Sequence, residues 1–515
     1  MKRVLPAPSS GSARIEVGAL LTSILLIAVC GLLYELIIGT LATYLQGDSV
    51  YQFSITIGVF VSAMGLGAFL SRVLTRNLLQ VFLLVEIAIG LIGGFVASGL
   101  FAAFVLWGRS FMFILIAVEV LLGALIGLEI PLLTRIAREY GTLRETLSNV
   151  LAFDYLGALV ASLLFPLILL PYLGLYRTCF LVGLFNLLVV GINLRVLGQY
   201  IPAQRGIAAG TIAAGVLLAI GFVQSTAITA LTEDTLYQDP ILYAEQSRYQ
   251  RLVVTSYQDE IRLYLDKELQ FSSRDEYRYH ESLIHPAMSL AVSRENVLVV
   301  GGGDGLAVRE LLKYPDLGHV TLVDIDPAVT HLGETFGPIL QLNGDSLHDP
   351  RVTVVNADGY RYLADRGDLY QVIVVDLTDP RNENAARLYS LDFYREVKRH
   401  LAPGGTFVTQ ASSPYFVRKA YWCIVHTMQA AGLQVQPYHA YIPSFGDWGF
   451  VVASSPGLDW NRVQVRVPTL FVTQSLLAKM TLFDPDTAEV ETDVSTLQSP
   501  AVLRYYLEGW QHWRG

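Results

Sequence analysis

Seven long apolar stretches in the first half of the chain constrain its fold most strongly. Each is near or above the ~20 residues that a helix needs to cross the hydrocarbon core of a bilayer. Glycine and alanine are frequent within them, which allows helices to pack closely in lipid. We therefore predict a transmembrane domain with about seven spans in residues 1–230, embedded in a lipid bilayer. The predicted spans are about 17–42, 52–70, 78–105, 111–133, 150–170, 175–194 and 207–226.

The composition of the whole chain averages this apolar half with an ordinary soluble half. With 53% hydrophobic and 16% charged residues, the 515-residue chain is too apolar for one soluble protein. A formal net charge of −9 argues against a nucleic-acid partner and favours cationic small molecules. The three cysteines are scattered, so they predict neither a disulfide framework nor a metal site.

Five acidic residues fall within the predicted spans. An acid in hydrocarbon is costly and faces the bundle interior or a water-filled cavity. One interpretation is a route or site for a cation. The other is hydrogen bonding between helices, or span ends that lie nearer the interface. These residues are Glu35, Glu86, Glu119, Glu129 and Asp154.

After residue 230 the pattern changes to short strands and amphipathic helices. Residues 231–295 predict a small antiparallel β meander followed by a helical lead-in. Alternating strands and helices in residues 296–465 predict a Rossmann-like, mainly parallel α/β domain. Residues 466–515 form a tail that docks on this domain or on the membrane interface. The strands are predicted near 297–301, 320–324, 352–356, 371–376, 405–410 and 448–453.

A glycine-rich turn follows the first strand of this α/β domain. Val297–Gly305 has the sequence VLVVGGGDG, and residues 306–312 have helical spacing. An apolar strand, a glycine turn and a helix N-terminus together are typical of a nucleotide-binding βαβ unit. The glycines allow a ligand to approach the backbone closely.

The predicted strand ends are unusually acidic. Ligands bind at the carboxyl ends of the strands in such sheets, and an acid about 20 residues after the glycines commonly bonds ribose hydroxyls. The alternative, acids that cap the following helices, suits Asp326 but not the whole set. We predict a nucleoside pocket with surplus negative charge. The acids are Asp304, Asp324, Asp358 (before Gly359), Asp376 and Asp379.

The surplus charge indicates which ligands fit. Asp304 lies inside the glycine turn, where it would repel the carboxylate of S-adenosylmethionine and attract an ammonium. A decarboxylated cofactor, whose aminopropyl arm is only cationic, fits better, and an ordinary methyltransferase fits worst. Asp376 and Asp379 suit a second cation, an amine acceptor. An alkylamine with a pKa near ~10.4 must lose a proton before it attacks carbon, so a carboxylate can act as base.

From Ser247 to about Ser454 the chain resembles the spermidine synthases (polyamine aminopropyltransferases). The motifs occur in the family's order: SRYQ at 247–250, RDEYRYHE at 274–281, the glycine turn, and DLTDP at 376–380. The resemblance implies that Asp376 is the general base. It also implies cofactor-binding positions at Gln250, Gly301, Gly303, Asp304, Asp324, Asp358 and Gly359, and amine-binding positions at Tyr279, His280, Asp379, Gln410, Phe445 and Trp448.

Three departures from the family pattern put the acceptor in doubt. The segment after Pro380, Arg381–Arg387, lacks the usual Gly-Pro loop. Phe445 stands where the family has an acceptor-contacting tyrosine, and Lys267 replaces a glycine. The resemblance to soluble members covers neither the first 230 residues nor the last fifty, although membrane-fused members have this layout.

The resemblance implies transfer of an aminopropyl group from decarboxylated S-adenosylmethionine, a co-substrate, to putrescine, giving spermidine and methylthioadenosine without a metal. One alternative is another acceptor: agmatine, spermidine or a different diamine. Another is a polyamine transporter or sensor whose nucleoside-binding domain is not catalytic. Homo-oligomers are left open, since soluble relatives oligomerise but these spans could replace or block that interface.

The side of the membrane on which the C-terminal domain lies is predicted in opposite ways by two arguments. Lysine and arginine cluster in the N-terminal tail and in alternate loops, which puts the N-terminus in the cytoplasm. Seven spans then place the C-terminal domain outside. The supply of its substrates, however, favours the cytoplasm. We predict a multi-pass cell-membrane protein and leave this conflict open.

Overall fold

The computed structural model describes residues 10–46, 49–138, 143–237, 239–454 and 457–513. The first nine residues, most of the basic N-terminal tail, lie outside the described residues. The chain divides into two compact units, Met1–Gln238 and Asp239–Gly515. Each unit is described by itself.

The first unit is a bundle of apolar helices. Hydrophobic side chains occur all round these helices, as in helices that are buried or that span a membrane. α1 lies centrally, since it packs against α2, α5, α6 and α7. The helices are α1 (Ser10–Gln46), α2 (Ser49–Leu70), α3 (Leu78–Gly94), α4 (Val96–Trp107), α5 (Phe111–Ala137), α6 (Leu143–Leu164), α7 (Leu170–Leu197), α8 (Gln204–Val223) and α9 (Ser225–Tyr237).

The number of helices that could cross a membrane differs from the predicted seven. Within the described residues five are long and apolar enough, and the bent pair α3 and α4 adds a sixth if it is one span. One of the five, Thr146–Tyr200, joins two predicted spans in 55 residues. At ~1.5 Å per residue it would extend ~80 Å, far beyond a ~30 Å hydrocarbon core. Gly174 (φ 71°, ψ 177°) interrupts the helix, and the two parts on either side of it match the two predicted spans.

Two of the acids in these helices are hydrogen-bonded to neighbouring helices. Glu86 accepts a bond from the Asn186 amide (2.9 Å), whose oxygen accepts one from the Tyr34 hydroxyl (3.1 Å). Glu119 accepts a bond from the Thr56 hydroxyl (2.8 Å). These contacts agree with the interpretation in which the acids serve as hydrogen-bonding groups between helices.

The second unit begins with a four-stranded antiparallel sheet in sequential order. Its strands are β1 (Ile241–Gln246), β2 (Arg251–Tyr257), β3 (Glu260–Leu265) and β4 (Glu268–Ser272). Asp266 and Lys267 form the two-residue turn between β3 and β4, with φ of 49° and 73°. Such turns need positive φ at both central positions, which explains why a glycine suits position 267.

A seven-stranded mixed sheet forms the rest of this unit, in the order β10-β11-β9-β8-β5-β6-β7. The five strands β5 to β9 run parallel, whereas β11 is antiparallel to both β9 and β10. The strand β10 is absent from the sequence-based prediction. The strands are β5 (Asn296–Gly301), β6 (His319–Asp324), β7 (Val352–Asn356), β8 (Tyr370–Asp376), β9 (Leu401–Gln410), β10 (Gln434–Ile442) and β11 (Gly446–Ser454).

Helices cover both faces of this sheet. Along β5, Leu298 and Val300 pack into one apolar core and Val297 and Val299 into the other. This burial on both faces is the Rossmann-like arrangement that the apolar strand predicts. The helices are α10 (Glu276–Leu290), α11 (Leu306–Leu312), α12 (Pro327–Thr335), α13 (Gly337–Asn343), α14 (Gly359–Ala364), α15 (Glu383–Ala386), α16 (Leu391–His400), α17 (Arg418–Ala430), α18 (Gln474–Leu477) and α19 (Ala501–Gln511).

The C-terminal tail packs on the α/β domain, one of the two docking alternatives. The fully buried carboxylate of Glu281 accepts bonds from the backbone N–H groups of residues 470, 471 and 472 at 2.6–2.9 Å. Further along, α19 packs against α17. A Cβ atom on Gly509 would lie only 2.8 Å from a methyl group of Val417. The tail is therefore part of the folded domain.

Candidate active site

The glycine turn after β5 brings the backbone close to two strand-end carboxyl groups. Gly301 and Gly302 have φ of 83° and 66°, which favour glycine. A Cβ atom on Gly301 would lie 2.0 Å from the carbonyl oxygen of Asp376, and one on Gly303 would lie 2.8 Å from Oδ2 of Asp324. A side chain at either position would therefore displace the turn from the adjoining strand ends.

Asp324, at the end of β6, holds the glycine turn in place. Its carboxylate accepts bonds from the N–H of Gly303 (3.1 Å) and the N–H of Asp326 (2.8 Å). Burial raises the pKa of Asp324 to about 6. The side chain thus lies where a nucleoside ribose is expected, beside the turn.

Gln250 lies close to this edge of the sheet. Its amide donates to Oδ2 of Asp326 (3.1 Å), and the Ser247 hydroxyl donates to the same oxygen (2.7 Å). Oδ1 of Asp326 accepts a bond from the N–H of Ala328, so Asp326 caps α12. These bonds join the small sheet to the strand ends, and the predicted nucleoside contact of Gln250 stays a prediction.

Asp358 caps the next helix rather than presenting a free carboxylate. It accepts bonds from the N–H groups of Tyr360 (3.0 Å) and Arg361 (3.2 Å) and pairs with Arg387 from the segment after β8. Burial opposes ionisation, but the Arg387 bond and charge lower the pKa of Asp358 overall. Nearby, a Cβ atom on Gly359 would lie 2.4 Å from Val300. The predicted nucleoside contacts of both residues stay predictions.

Asp376 ends β8 beside the side chains of Tyr279 and His280. The Tyr279 hydroxyl donates to its Oδ1 (2.7 Å), and Nε2 of His280 lies 3.9 Å from its Oδ2. Burial raises the pKa of Asp376, while the charge of His280 and the Tyr279 bond oppose that rise. The raised pKa makes the carboxylate a better proton acceptor than an exposed one.

The carboxyl groups around His280 favour its protonated form. Burial lowers its pKa, but a 2.8 Å contact between Nδ1 and Glu276 raises it to about 9, with help from Asp376 and Asp304. Arg309 donates to both Glu276 oxygens, at 2.8 and 2.9 Å. Because Arg309 balances Glu276, the imidazolium is the cation that faces Asp304 and Asp376.

Asp304 belongs to the same electrostatic cluster. Its Oδ1 accepts a bond from the N–H of Leu306 (2.9 Å) at the start of α11. Burial raises the pKa of Asp304 to about 6, the charge of His280 lowers it, and that of Asp376 raises it. Two carboxyl groups thus share one imidazolium, which leaves net negative charge for a cationic ligand.

Asp379 and Gln410 meet at the neighbouring strand ends. The Gln410 amide donates to the carbonyl of Leu377 (2.9 Å) and lies 3.4 Å from Oδ1 of Asp379. The Ser412 hydroxyl donates to Oδ2 (3.1 Å). Burial raises the pKa of Asp379 to about 6, although the nearby side chains of Tyr506, Ser412 and Gln410 lower it.

Aromatic rings form one wall beside Asp376. The Tyr279 and Phe445 ring centroids lie 6.3 Å apart, and those of Phe445 and Trp448 5.0 Å apart. The buried Nε1 of Trp448 has no hydrogen-bond partner in the described part of the chain. Aromatic faces suit the methylene chain and ammonium groups of an alkylamine.

Several residues of this cluster are missing from the sequence-based site. Glu276 lies inside the RDEYRYHE motif, and its position one helical turn before His280 is a usable signal. Arg309, Ser412 and Tyr506 carry no such signal, because only the fold brings them near the strand ends. Among the described residues no group of three or more His, Cys, Asp and Glu side chains could hold a metal ion.

The Rossmann-like fold gathers Asp304, Asp376 and His280 at the strand ends beside the glycine turn. The "Spermine/spermidine synthase domain" model matches residues 276–462. "Polyamine aminopropyltransferase 2" of Ralstonia nicotianae is 44% identical over 95% of this chain and 98% of its own. "Polyamine aminopropyltransferase" of Leptospira interrogans is 41% identical over 96% and 98%. The solved spermidine synthase of Thermotoga maritima is 23% identical over 48% of this chain and 85% of its own, with a TM-score of 0.44.

The chain therefore belongs to the spermidine synthase (polyamine aminopropyltransferase) family and is an enzyme of that class. The resemblance inferred from the motifs is confirmed, and it extends over the helical unit, because these two relatives match nearly the whole chain. Membership in an enzyme family argues against a transporter or sensor that lacks turnover.

The carboxyl pKa values predict how activity depends on pH. Asp304 and Asp379 have pKa values of about 6, raised from the usual range, so they gain protons as the pH falls through about 6. The protonated groups no longer attract cations. We expect loss of the Asp379 charge to lower kcat/KM for the amine about tenfold per pH unit below about 6, and loss of the Asp304 charge to lower kcat/KM for the co-substrate in the same way. If kcat/KM stays level from pH 8 to pH 5, these two carboxylates do not bind the cationic substrates.

Proposed function

We propose that this enzyme transfers the aminopropyl group of decarboxylated S-adenosylmethionine to putrescine, giving spermidine and methylthioadenosine. The observation that carries the proposal is that two carboxyl groups, Asp304 in the glycine turn and Asp376 at the end of β8, lie near the single imidazole of His280, whose Nε2 is 3.9 Å from Asp376. Their net negative charge lies beside the glycine turn, where the cationic arm of the co-substrate would lie. The carboxylate of S-adenosylmethionine would meet repulsion there.

The acceptor amine needs a base and a fixed position. Asp376, held by the Tyr279 hydroxyl, takes the proton from the attacking nitrogen. Asp379 and Gln410 bind an ammonium group, and the aromatic wall of Tyr279, Phe445 and Trp448 packs on the methylene chain. The imidazolium of His280 keeps Asp376 ionised while the amine binds.

The transfer is a single displacement at carbon. The deprotonated amine nitrogen forms a bond to the aminopropyl methylene as the carbon–sulfur bond breaks, and the electron pair leaves with the sulfur of methylthioadenosine. Because the sulfonium is already a good leaving group, the protein contributes mainly orientation and deprotonation. Gln250, Asp324, Asp358 and the glycines at 301, 303 and 359 hold the nucleoside part in this proposal.

The test uses the full-length chain in detergent or nanodiscs, supplied with decarboxylated S-adenosylmethionine and putrescine. Methylthioadenosine and spermidine are quantified together by mass spectrometry, and equal amounts are expected. Agmatine, spermidine and longer diamines are run in parallel, because Phe445 lacks the hydroxyl of the family tyrosine. A better rate with one of these would move the assignment to that acceptor. Absence of methylthioadenosine with every amine would contradict the proposed transfer.

We also propose that the helical unit inserts in the cell membrane and that the C-terminal unit lies in the cytoplasm, where its substrates are made. The long apolar helices support insertion, whereas loop charges with seven spans predict the opposite side. Reporter proteins fused to the C-terminus distinguish a cytoplasmic C-terminal unit from one outside the membrane. A fluorescent protein should fold and an alkaline phosphatase should stay inactive, and the reverse would place this unit outside.

Cross-linking in the membrane would show whether the chain forms the homo-oligomers of its soluble relatives.

A further inference from the structure

A buried tyrosine supports the turn that follows β8. Tyr389 is fully buried, and its ring packs in the same apolar core as Phe393. The Tyr389 hydroxyl donates to the carbonyl oxygen of Thr378 at 3.0 Å. Thr378 lies between Asp376 and Asp379 in the sequence. The bond therefore restrains the backbone that carries both carboxyl groups.

The side-chain amide of Gln410, at the end of β9, binds the same hydroxyl. Its Nε2 donates to the Tyr389 hydroxyl (2.5 Å) and to the carbonyl of Leu377 (2.9 Å), and its Oε1 accepts a bond from the N–H of Ser412 (2.8 Å). The reverse orientation of the amide would set its oxygen against a carbonyl oxygen and its nitrogen against an N–H group. Both amide hydrogens are therefore used within the protein, and the oxygen keeps one lone pair for an ammonium group.

Ser412 has a backbone conformation that serine rarely adopts. Its φ of 63° lies in the left-handed region, and its carbonyl accepts a bond from the N–H of Gly449 (2.7 Å). In this conformation the Ser412 hydroxyl donates to Oδ2 of Asp379 (3.1 Å). Strained backbone that the surrounding structure maintains is found mainly at functional sites. Here the strained residue contacts the carboxylate that is proposed to bind the acceptor.

These contacts form a closed ring. It runs from the carbonyl of Thr378 through the side chains of Tyr389 and Gln410 to Ser412, and from there to Asp379, the residue after Thr378. We propose that Tyr389 and Ser412 are positioning residues of the acceptor-amine site, which hold the turn and its carboxylate in place for a cationic amine. This inference rests on the proposed function, in which Asp379 binds the acceptor. Because a carboxylate held in this way needs no ordering when the amine binds, loss of either hydroxyl should weaken amine binding more than turnover.

The experiment compares Tyr389→Phe with the matched control Tyr394→Phe in the full-length chain. Both tyrosines are fully buried, but the Tyr394 hydroxyl has no hydrogen-bond partner among the described residues. For Tyr389→Phe we expect about a tenfold higher KM for putrescine, with kcat and the KM for the co-substrate within about twofold. Tyr394→Phe should keep all three constants within about twofold. An unchanged KM for putrescine in Tyr389→Phe, or equal losses for both substrates, would overturn the inference.

Ser412→Gly tests the other end of the ring and leaves the apolar core around Tyr389 intact. Glycine adopts positive φ without strain, so the midpoint of thermal unfolding should not fall. The KM for putrescine should nevertheless rise about fivefold, because Asp379 loses a hydrogen bond. A lower midpoint with an unchanged KM would show that Ser412 serves stability alone, which contradicts its assigned role.

A double-mutant cycle separates positioning from a general structural role. In an Asp379→Asn background, Tyr389→Phe should add less than about twofold to the KM for putrescine, because the carboxylate that it positions is gone. A full tenfold increase in that background would contradict the inference.

Binding measurements distinguish failure of the inference from failure of the proposed function. If the wild-type chain makes no methylthioadenosine with any amine, the proposed function fails. Calorimetric binding of putrescine then tests the inference, which requires weaker binding by Tyr389→Phe and Ser412→Gly than by Tyr394→Phe and the wild-type chain. If the wild-type chain does not bind putrescine, the inference is overturned as well.

Discussion

Replacing Asp376 by asparagine is expected to lower kcat by about 10²–10⁴-fold, the range that a positioned general base contributes. Asparagine keeps the shape and can still accept the Tyr279 bond, but it cannot take a proton from an amine whose pKa is near ~10.4. Turnover is measured as methylthioadenosine release with saturating amine. Because asparagine is nearly isosteric, binding of the co-substrate by calorimetry should change by less than about threefold.

The pH profile gives this variant a second signature. In the proposed mechanism Asp376 is the base, so the variant should depend on free amine and its residual kcat should rise with pH through 9. Asp368→Asn, a carboxyl on the exposed surface with 60% of its side chain accessible, is the matched control and should keep full activity. If the Asp376→Asn variant keeps most of its turnover, Asp376 is not the base.

Several residues predicted from the sequence owe their positions in the fold to local sequence patterns. The apolar strand β5 is followed at once by glycines whose positive φ values match their residue type. Asp324 and Asp376 end their strands, and parallel strand ends meet at one edge of a sheet. For these residues the order along the chain predicts the place in the fold, so motif and geometry agree.

Other features depend on packing that no local pattern encodes. The strand β10 contains Pro437, which argues against a strand in sequence, yet β10 lies at the edge of the sheet, where a proline is tolerated. The charge of His280 depends on Glu276, whose own charge is balanced by Arg309 from another helix. Tyr506 comes near Asp379 only because α19 folds back onto α17. Sequence spacing gives no distance between such residues.

Replacing Asp304 by asparagine is expected to change which cofactor the enzyme prefers. A hydrogen bond or ion pair that involves a charged group contributes about 1.5–3 kcal/mol, which corresponds to roughly 10–100-fold in affinity. We expect decarboxylated S-adenosylmethionine to bind weaker by that factor, because its ammonium loses a carboxylate. S-adenosylmethionine should bind tighter, because its own carboxylate no longer meets a buried negative charge. Calorimetry with both ligands measures the two changes.

The asparagine at 304 keeps the local structure, since its side-chain oxygen can still accept the bond from the N–H of Leu306. Weaker binding of both ligands would therefore indicate a damaged turn rather than lost discrimination, and the KM for putrescine should stay within about threefold as the control. Opposite changes for the two ligands can arise only if the carboxylate of Asp304 senses the charge at the end of the cofactor's arm. If each ligand binds the variant as tightly as it binds the wild-type chain, selection against S-adenosylmethionine lies elsewhere in the site.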